Sequence, residues 1–231
     1  MKLLAFETAT EACSVAIYVD GEVHERFDLA PRRHAELALP WAEAVLAEAG
    51  VARSQLDAIA VGRGPGAFTG VRLAIAVAQG IALGLDGPLL PVSTLAALAL
   101  RAGGERSVAA IDARMGEVYL GLFQREGEGL RALGGEVVVA PAAAPVPEGG
   151  GWHAAGTGFA AVDGALQARF AGRLAAVDAG ALPHAADIAR LGAIAFARGE
   201  AVAPERVEPA YLRNNVALTL AEQQALRASR G

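Results

Sequence analysis

The chain has 231 residues, 54% of them apolar and 19% charged, with a net charge of −5 and a pI near 5.4. That sign argues against a protein that neutralises several nucleic-acid phosphates by itself. A single cysteine, Cys13, rules out an internal disulfide and a thiolate metal cluster, and reads as a buried structural thiol.

Met1 to Ala9 carries one lysine and reaches Glu7 before any long apolar run, unlike a signal peptide. Leu3 to Phe6, Cys13 to Val19 and Glu22 to Phe27 read as short strands, because Val, Ile, Tyr and Phe concentrate there. Asp20-Gly21 is the turn between the second and third, a pair suited to positive φ angles. The polar bend Thr8 to Ala12 leaves hydroxyls and a carboxylate at one end of this sheet.

His34 to Ala49 is helical by pattern and stops at Gly50, with Pro40 expected to bend it or delay its start. Leu37, Trp41 and Val45 form one apolar row, and Leu39, Ala42 and Leu46 a second. A helix lying on one sheet needs a stripe of only about 100°, so either one row is spare for an interface or both face the chain's own core.

Asp57 to Gly62 reads as a buried strand feeding the loop Arg63-Gly64-Pro65-Gly66-Ala67-Phe68, with Thr69 as N-cap of a helix to about Leu85. The stretch from Val71 to Leu85 is interrupted by Arg72 and Gln79 and falls short of the roughly 20 residues of a membrane span. The cytoplasm is the expected compartment. In this helix the polar Arg72 and Gln79 share one narrow stripe, while Ala76, Gly80 and Gly84 repeat every four residues and let another backbone come close.

A strand, a glycine-rich loop and a helix N-terminus are the parts of an anion site. Gly64, Gly66, Thr69 and Gly70 are the candidates here, although no Lys follows in Walker order and the spacing favours a plain tight turn over a phosphate cradle.

Leu89 to Val92 and Ser93 to Arg101 form a further strand and helix, capped by Ser93 or Thr94, and Gly103-Gly104 reads as a hinge. Ser107 to Ile111, Glu117 to Phe123 and Val137 to Ala140 look like a second set of strands, followed by a Pro-, Ala- and Gly-rich loop over Pro141 to Gly151. Phe159 to Phe170 and Ala185 to Arg198 read as helices, as does the polar tail from Thr219 to Arg230. Strands followed by helices thus occur twice, which predicts an α/β protein of two related lobes without a sequence repeat.

His24, His34, His153 and His184 are too scattered for a metal motif on one helix face. Asp112 and Asp178 end apolar runs, where a carboxylate serves as a turn cap or as a magnesium ligand. No Gly-x-Ser-x-Gly elbow is present.

Several segments in order resemble the TsaB (YeaZ) family. They are Leu-Ala-Phe-Glu-Thr-Ala-Thr from Leu4, Arg-His-Ala-Glu-Leu-Ala-Leu-Pro from Arg33, and Gly-Pro-Gly-Ala-Phe-Thr-Gly-Val-Arg from Gly64. Asp-Ala-Arg-Met-Gly-Glu-Val-Tyr from Asp112 and Pro-Ala-Tyr-Leu-Arg from Pro209 complete the set. The resemblance implies an actin/Hsp70-like ATPase fold and a role in placing N6-threonylcarbamoyladenosine beside the anticodon of tRNAs that read ANN codons.

It also implies that the chemistry belongs to a paralogous subunit, TsaD, with metal-binding histidines in the region of Ser93 to Leu100, where this chain has none. The family pairs with TsaD, or with itself when alone, through two N-lobe helices packed as a four-helix bundle, and an ATPase, TsaE, joins. On that resemblance Leu37, Trp41, Val45, Arg72, Ala76, Gln79, Gly80 and Gly84 face the partner. The resemblance further implies no intrinsic cofactor, room for ATP or ADP at the interface of the complex, and contact with tRNA only through the complex.

The implied division is an N-terminal lobe over 1–104, a C-terminal lobe over 105–205, and a segment over 206–231 that returns to the first lobe. Glu7 stands where Asp is typical and Ala67 where Ser is, and both weaken the expectation of nucleotide binding. Two rivals stand beside this reading. One is a small-molecule kinase or ATPase using Glu7, the Gly64 to Gly70 loop and Gly156-Thr157-Gly158; the other is a free-standing metallopeptidase.

Overall fold

The computed structural model describes residues 1–213, so the expected tail helix from Thr219 lies outside the described residues. Strands β1 (Lys2–Glu7), β2 (Ala12–Val19) and β3 (Glu22–Leu29) form an antiparallel meander. The Asp20-Gly21 turn has φ of 49° and 107°, the positive pair that a primed turn needs. Beyond β1, β4 (Ala58–Gly62) and β5 (Leu89–Val92) add in parallel, giving the order β3-β2-β1-β4-β5.

Alternation along β1 sorts its side chains between two cores. Leu4 and Phe6 point to the face covered by α1 (His34–Glu48) and α2 (Phe68–Leu85). Leu3 and Ala5 point to the opposite face, covered by α5 (Ala185–Ala197). With both faces covered, β1 and β4 read as apolar runs with little alternation.

The second sheet contains β6 (Arg106–Arg114), β7 (Glu117–Glu126), β8 (Gly129–Ala132), β10 (Trp152–Ala155) and β11 (Leu174–Asp178), in the order β11-β10-β6-β7-β8. The short β9 (Val137–Val139) pairs with β7. Its plan repeats the first sheet: β6, β7 and β8 form an antiparallel meander, and β10 and β11 add in parallel beyond β6. The expected duplication is therefore present as topology, and the architecture is the two-lobed α/β arrangement of the actin/Hsp70-like fold.

The helices are exchanged between the lobes. α3 (Thr94–Ala102), which follows the last strand of the first sheet, packs on β6, β7 and β10 of the second. Its Leu95, Leu98 and Ala99 share a core with Ala109, Ile111 and Phe123. α5, which follows the second sheet, lies on β1, β2 and β4 of the first and touches α3. The expected boundaries are corrected accordingly, since 94–102 belongs to the core of the second sheet and 185–197 to that of the first. Each helix goes where its apolar face finds a partner surface, and chain order does not decide this.

Other expectations change locally. α1 runs unbroken through Pro40, because that residue lies on an exposed side and the carbonyl it leaves unpaired belongs to exposed Glu36. α2 begins at Phe68 with Ala67 as N-cap, so Thr69 is inside the helix and caps nothing. Ser93 does cap α3, accepting the N–H of Ala96 at 3.1 Å. β8, β10 and β11 were not legible as strands. Trp-His-Ala-Ala and Leu-Ala-Ala-Val-Asp have modest strand propensity, and long-range parallel pairing imposes their extended form. α4 (Ala161–Arg169) is shorter than expected and carries left-handed φ at Val162, Asp163 and Gly164.

Candidate functional site

Two surfaces follow from this architecture, a cleft between the lobes and a helical face on the first lobe that no described residue covers. The cleft has a volume of about 710 Å³. Its walls are the β1–β2 turn, the start of α2, the β6–β7 hairpin, Thr157 and the segment Pro209 to Arg213.

The glycine-rich loop is held by the chain itself. The N–H of Ala67 donates to the carbonyl of Ala9 at 2.7 Å, and the hydroxyl of Thr8 donates to the carbonyl of Gly70 at 2.7 Å. A β-carbon at Gly66 would stand 2.4 Å from the oxygen of Ala9, and one at Gly70 would stand 2.0 Å from that of Thr8. These glycines admit the neighbouring backbone of the β1–β2 turn. Gly64 offers its carbonyl to the N–H of Thr94 at 2.9 Å, and its peptide bond to Pro65 is cis. Of the four anion-site candidates Gly64, Gly66, Thr69 and Gly70, only Gly66 lines the cleft.

Glu7 does not face the cleft either. It is 1% exposed, accepts the N–H of Ala9 at 2.6 Å and accepts the hydroxyl of Thr94 at 2.8 Å. Burial pushes its carboxyl up to about 7, against the opposing effect of the hydrogen bonds from Ala9, Thr94 and Thr8. It pins β1, the following turn and the start of α3 together. Of the kinase-like constellation, Gly66 and Thr157 line the same cleft, whereas Glu7 is withdrawn from it into the core.

On the second lobe, Thr157 accepts the N–H of Asp112 at 3.1 Å. Asp112 accepts the N–H of Arg114 at 2.8 Å, and Asp178 accepts the N–H of Gly180 at 3.1 Å, so both carboxylates cap turns. His34 is close to the carbonyls of Thr10 and Ala12, at 3.0 and 3.1 Å from Nε2, and His184 to Glu25, at 2.8 Å from Nδ1. Among the described residues no three His, Cys, Asp or Glu side chains converge as a metal site.

The segment after α5 straps the cleft. The side-chain amide of Gln79 donates to the carbonyl of Pro204 at 2.8 Å, and the N–H of Ala210 to that of Arg63 at 2.8 Å. Arg213 then crosses to the other lobe, donating to the carbonyl of Ala113 at 3.2 Å and pairing with Glu117 at 2.5 Å. Phe68, Tyr211 and Arg213 were not recognised as cleft residues from the sequence. The nearest signal for Phe68 was the Gly-Pro-Gly-Ala-Phe-Thr-Gly block, and for Tyr211 and Arg213 the Pro-Ala-Tyr-Leu-Arg segment, whose Tyr211 meets Arg72 across 139 residues.

The helical face divides differently from the expected rows. α2 buries Val71, Ala74, Ile75, Ala78 and Ala82, and leaves Ala76, Gly80 and Gly84 exposed beside Leu83, itself 66% exposed. Among the described residues, a β-carbon at Gly80 or Gly84 would meet nothing within 4 Å. α2 is apolar and long enough, at 18 residues, to pass for a membrane span by composition, yet one face lies on β1 and β4 of the first sheet.

In α1, Ala38, Ala42, Val45 and Leu46 are buried, Leu37 and Trp41 are half-buried, and Leu39 is exposed. Val45, expected at the partner face, is completely buried in the first lobe and is withdrawn from it. Arg72 and Gln79 are corrected as well, because both turn to the chain's own C-terminal segment. A helical wheel gives relative angles only, and the angle at which the helix meets its sheet decides which sector is inside.

The chain matches the family model described as "TsaD: tRNA N6-adenosine threonylcarbamoyltransferase" over residues 19–220. It is 43% identical to the tRNA threonylcarbamoyladenosine biosynthesis protein TsaB of Escherichia coli K12, covering 94% of this chain and 96% of that one. The TsaB of Haemophilus influenzae is 38% identical, with 94% and 95% covered. A crystal structure titled "YeaZ from Pseudomonas aeruginosa" superposes with a TM-score of 0.85 at 49% identity, covering 91% of this chain and 99% of that one. With relatives of this likeness along nearly its whole length and the same two-lobed backbone, the chain belongs to the TsaB (YeaZ) family.

Proposed function

We propose that this protein serves tRNA threonylcarbamoyladenosine synthesis as a non-catalytic subunit that binds and orders a TsaD-type catalytic partner. The observation that carries the reading is the exposed stripe Ala76, Gly80 and Gly84 on α2, flanked by exposed Leu83. Small residues let a second helix approach closely, and uncovered apolar surface beside them favours burial against a partner. A specific interface there would bury roughly 1,600 Å² in total.

On this reading Leu37, Trp41, Ala76, Gly80 and Gly84 form the contact, with α1 and α2 packing against the equivalent pair of a TsaD chain, or of a second copy when alone. The lack of histidine from Ser93 to Leu100 supports placing the chemistry in the partner. A TsaE-type ATPase joins the pair, and any ATP or ADP is held at the shared interface with no cofactor resident in this chain. The tRNA substrate places the assembly in the cytoplasm.

The test is co-purification of the Gly80→Arg chain with the TsaD-type subunit. The bulky cation should abolish pairing without unfolding the monomer, since Arg is favoured over Gly in a helix by about 1 kcal/mol. Recovery of the pair at wild-type strength would remove the assigned face.

A further inference from the structure

We infer that the mouth of the interlobe cleft is a docking surface for an unstacked base of a single-stranded RNA loop, seated on Phe68, Arg72 and Tyr211. The inference rests on the tRNA-linked reading above and adds a direct RNA contact to it. Phe68, the first residue of α2, is 66% exposed, and Tyr211 of the strap is 57% exposed. The guanidinium of Arg72 lies 3.2 Å from the ring centre of Phe68 and 5.0 Å from that of Tyr211. It donates to the carbonyl of Phe68 at 3.0 Å and to the hydroxyl of Tyr211.

Among the described residues Arg72 has no carboxylate partner, so its charge is held by two aromatic rings, one carbonyl and the Tyr211 hydroxyl. Single exposed apolar side chains are ordinary, whereas two aromatic rings joined by a cation at the rim of a cleft form a platform. Such platforms take bases through their π-faces, and they need bases free of a duplex. Arg32, exposed and lining the same cleft, is placed to meet an adjoining phosphate, whereas Arg114, exposed beside it, is already paired with Asp112 at 2.8 Å.

The chain as a whole is acidic, so a duplex that offers only phosphates is disfavoured. Stacking supplies the affinity, and the contact is expected to be weak in the isolated chain.

The test uses the full chain at low salt, titrated into a short RNA hairpin with a fluorescent adenine analogue in its loop, beside a duplex of the same composition. The hairpin should bind with a change in fluorescence and the duplex should not. Tyr211→Ala and Phe68→Ala should each weaken hairpin binding about tenfold. Tyr211→Phe, which loses the hydroxyl but keeps the ring, should bind like the wild type. A merely structural role for Tyr211 would instead lower the melting temperature of both Tyr211 variants and leave RNA affinity unchanged, which overturns the inference.

Displacement of the hairpin by excess inorganic tripolyphosphate, which carries no base, would overturn it too, marking an anion pocket, as would release of the RNA when the TsaD-type subunit is added. The pairing assay, run in parallel, keeps the two readings apart. Normal pairing by Tyr211→Ala with unchanged RNA affinity defeats only the inference, whereas normal pairing by Gly80→Arg defeats only the assigned partner face.

Discussion

The carboxyl of Glu7 occupies the space in front of Gly62, with one oxygen 2.1 Å from where a β-carbon at position 62 would stand. The first strand therefore ends in an acid that only a glycine on its neighbour accommodates. Because the folded carboxyl is raised from 4.5 to about 7, the folded state holds a proton that the unfolded state has released between those values. The contribution of Glu7 to stability then falls as pH rises through this window, by up to about 3 kcal/mol. Urea denaturation from pH 4.5 to 8 should show Glu7→Gln with a shallower decline than the wild type, and Gly62→Ala destabilised by about 3 kcal/mol through overpacking. Parallel pH profiles of wild type and Glu7→Gln would refute this.

Glu25 behaves in the opposite sense. Burial raises its carboxyl, but hydrogen bonds from His184, from the Ser14 hydroxyl and from the N–H of Ala186, together with the charge of His184, hold it below its ordinary 4.5. Together Ser14 and Glu25, on neighbouring strands of the first sheet, cap the start of α5 from outside that helix. This stabilisation is complete above pH 4.5 and is lost as pH falls through the lowered folded value. Glu25→Gln should cost about 1–3 kcal/mol at pH 7 and lose less stability than the wild type on acidification below pH 4.5. Thermal melts across that range decide the point.

Val45 and Gly80 lie on neighbouring helices and should separate stability from assembly. Val45 is fully enclosed by the first-lobe core, so Val45→Ala should lose about 1–3 kcal/mol in denaturant unfolding and still pair with its partner. Gly80→Arg should do the reverse. A Val45→Ala chain of normal stability that fails to pair would mean that α1 presents a different face.

Cys13 is 0% exposed, and burial, followed by the negative charge of Asp28, pushes its thiol up to about 11. At pH 8 only roughly one molecule in a thousand carries the reactive thiolate. Labelling with a disulfide reagent should be slow in the native protein and rapid in urea. Rapid native labelling would show that β2 opens far more readily than its place between β1 and β3 implies.

What the amino-acid order determined by itself was local. The Asp20-Gly21 turn, the β1–β3 meander, the Ser93 cap and the small-residue stripe on α2 each depend on residues within a few positions of one another, where propensity and spacing act directly. The tertiary structure decided everything that depends on a distant partner. It extended the alanine-rich β10 and β11 by pairing them beside β6, and it sent α3 and α5 to each other's sheets. It also turned Val45 inward, enclosed Glu7 behind Gly62, and brought Tyr211 to Arg72 at the mouth of the cleft. The physical reason is that periodicity sets the angle between side chains on one element, whereas burial depends on which other element arrives to cover them.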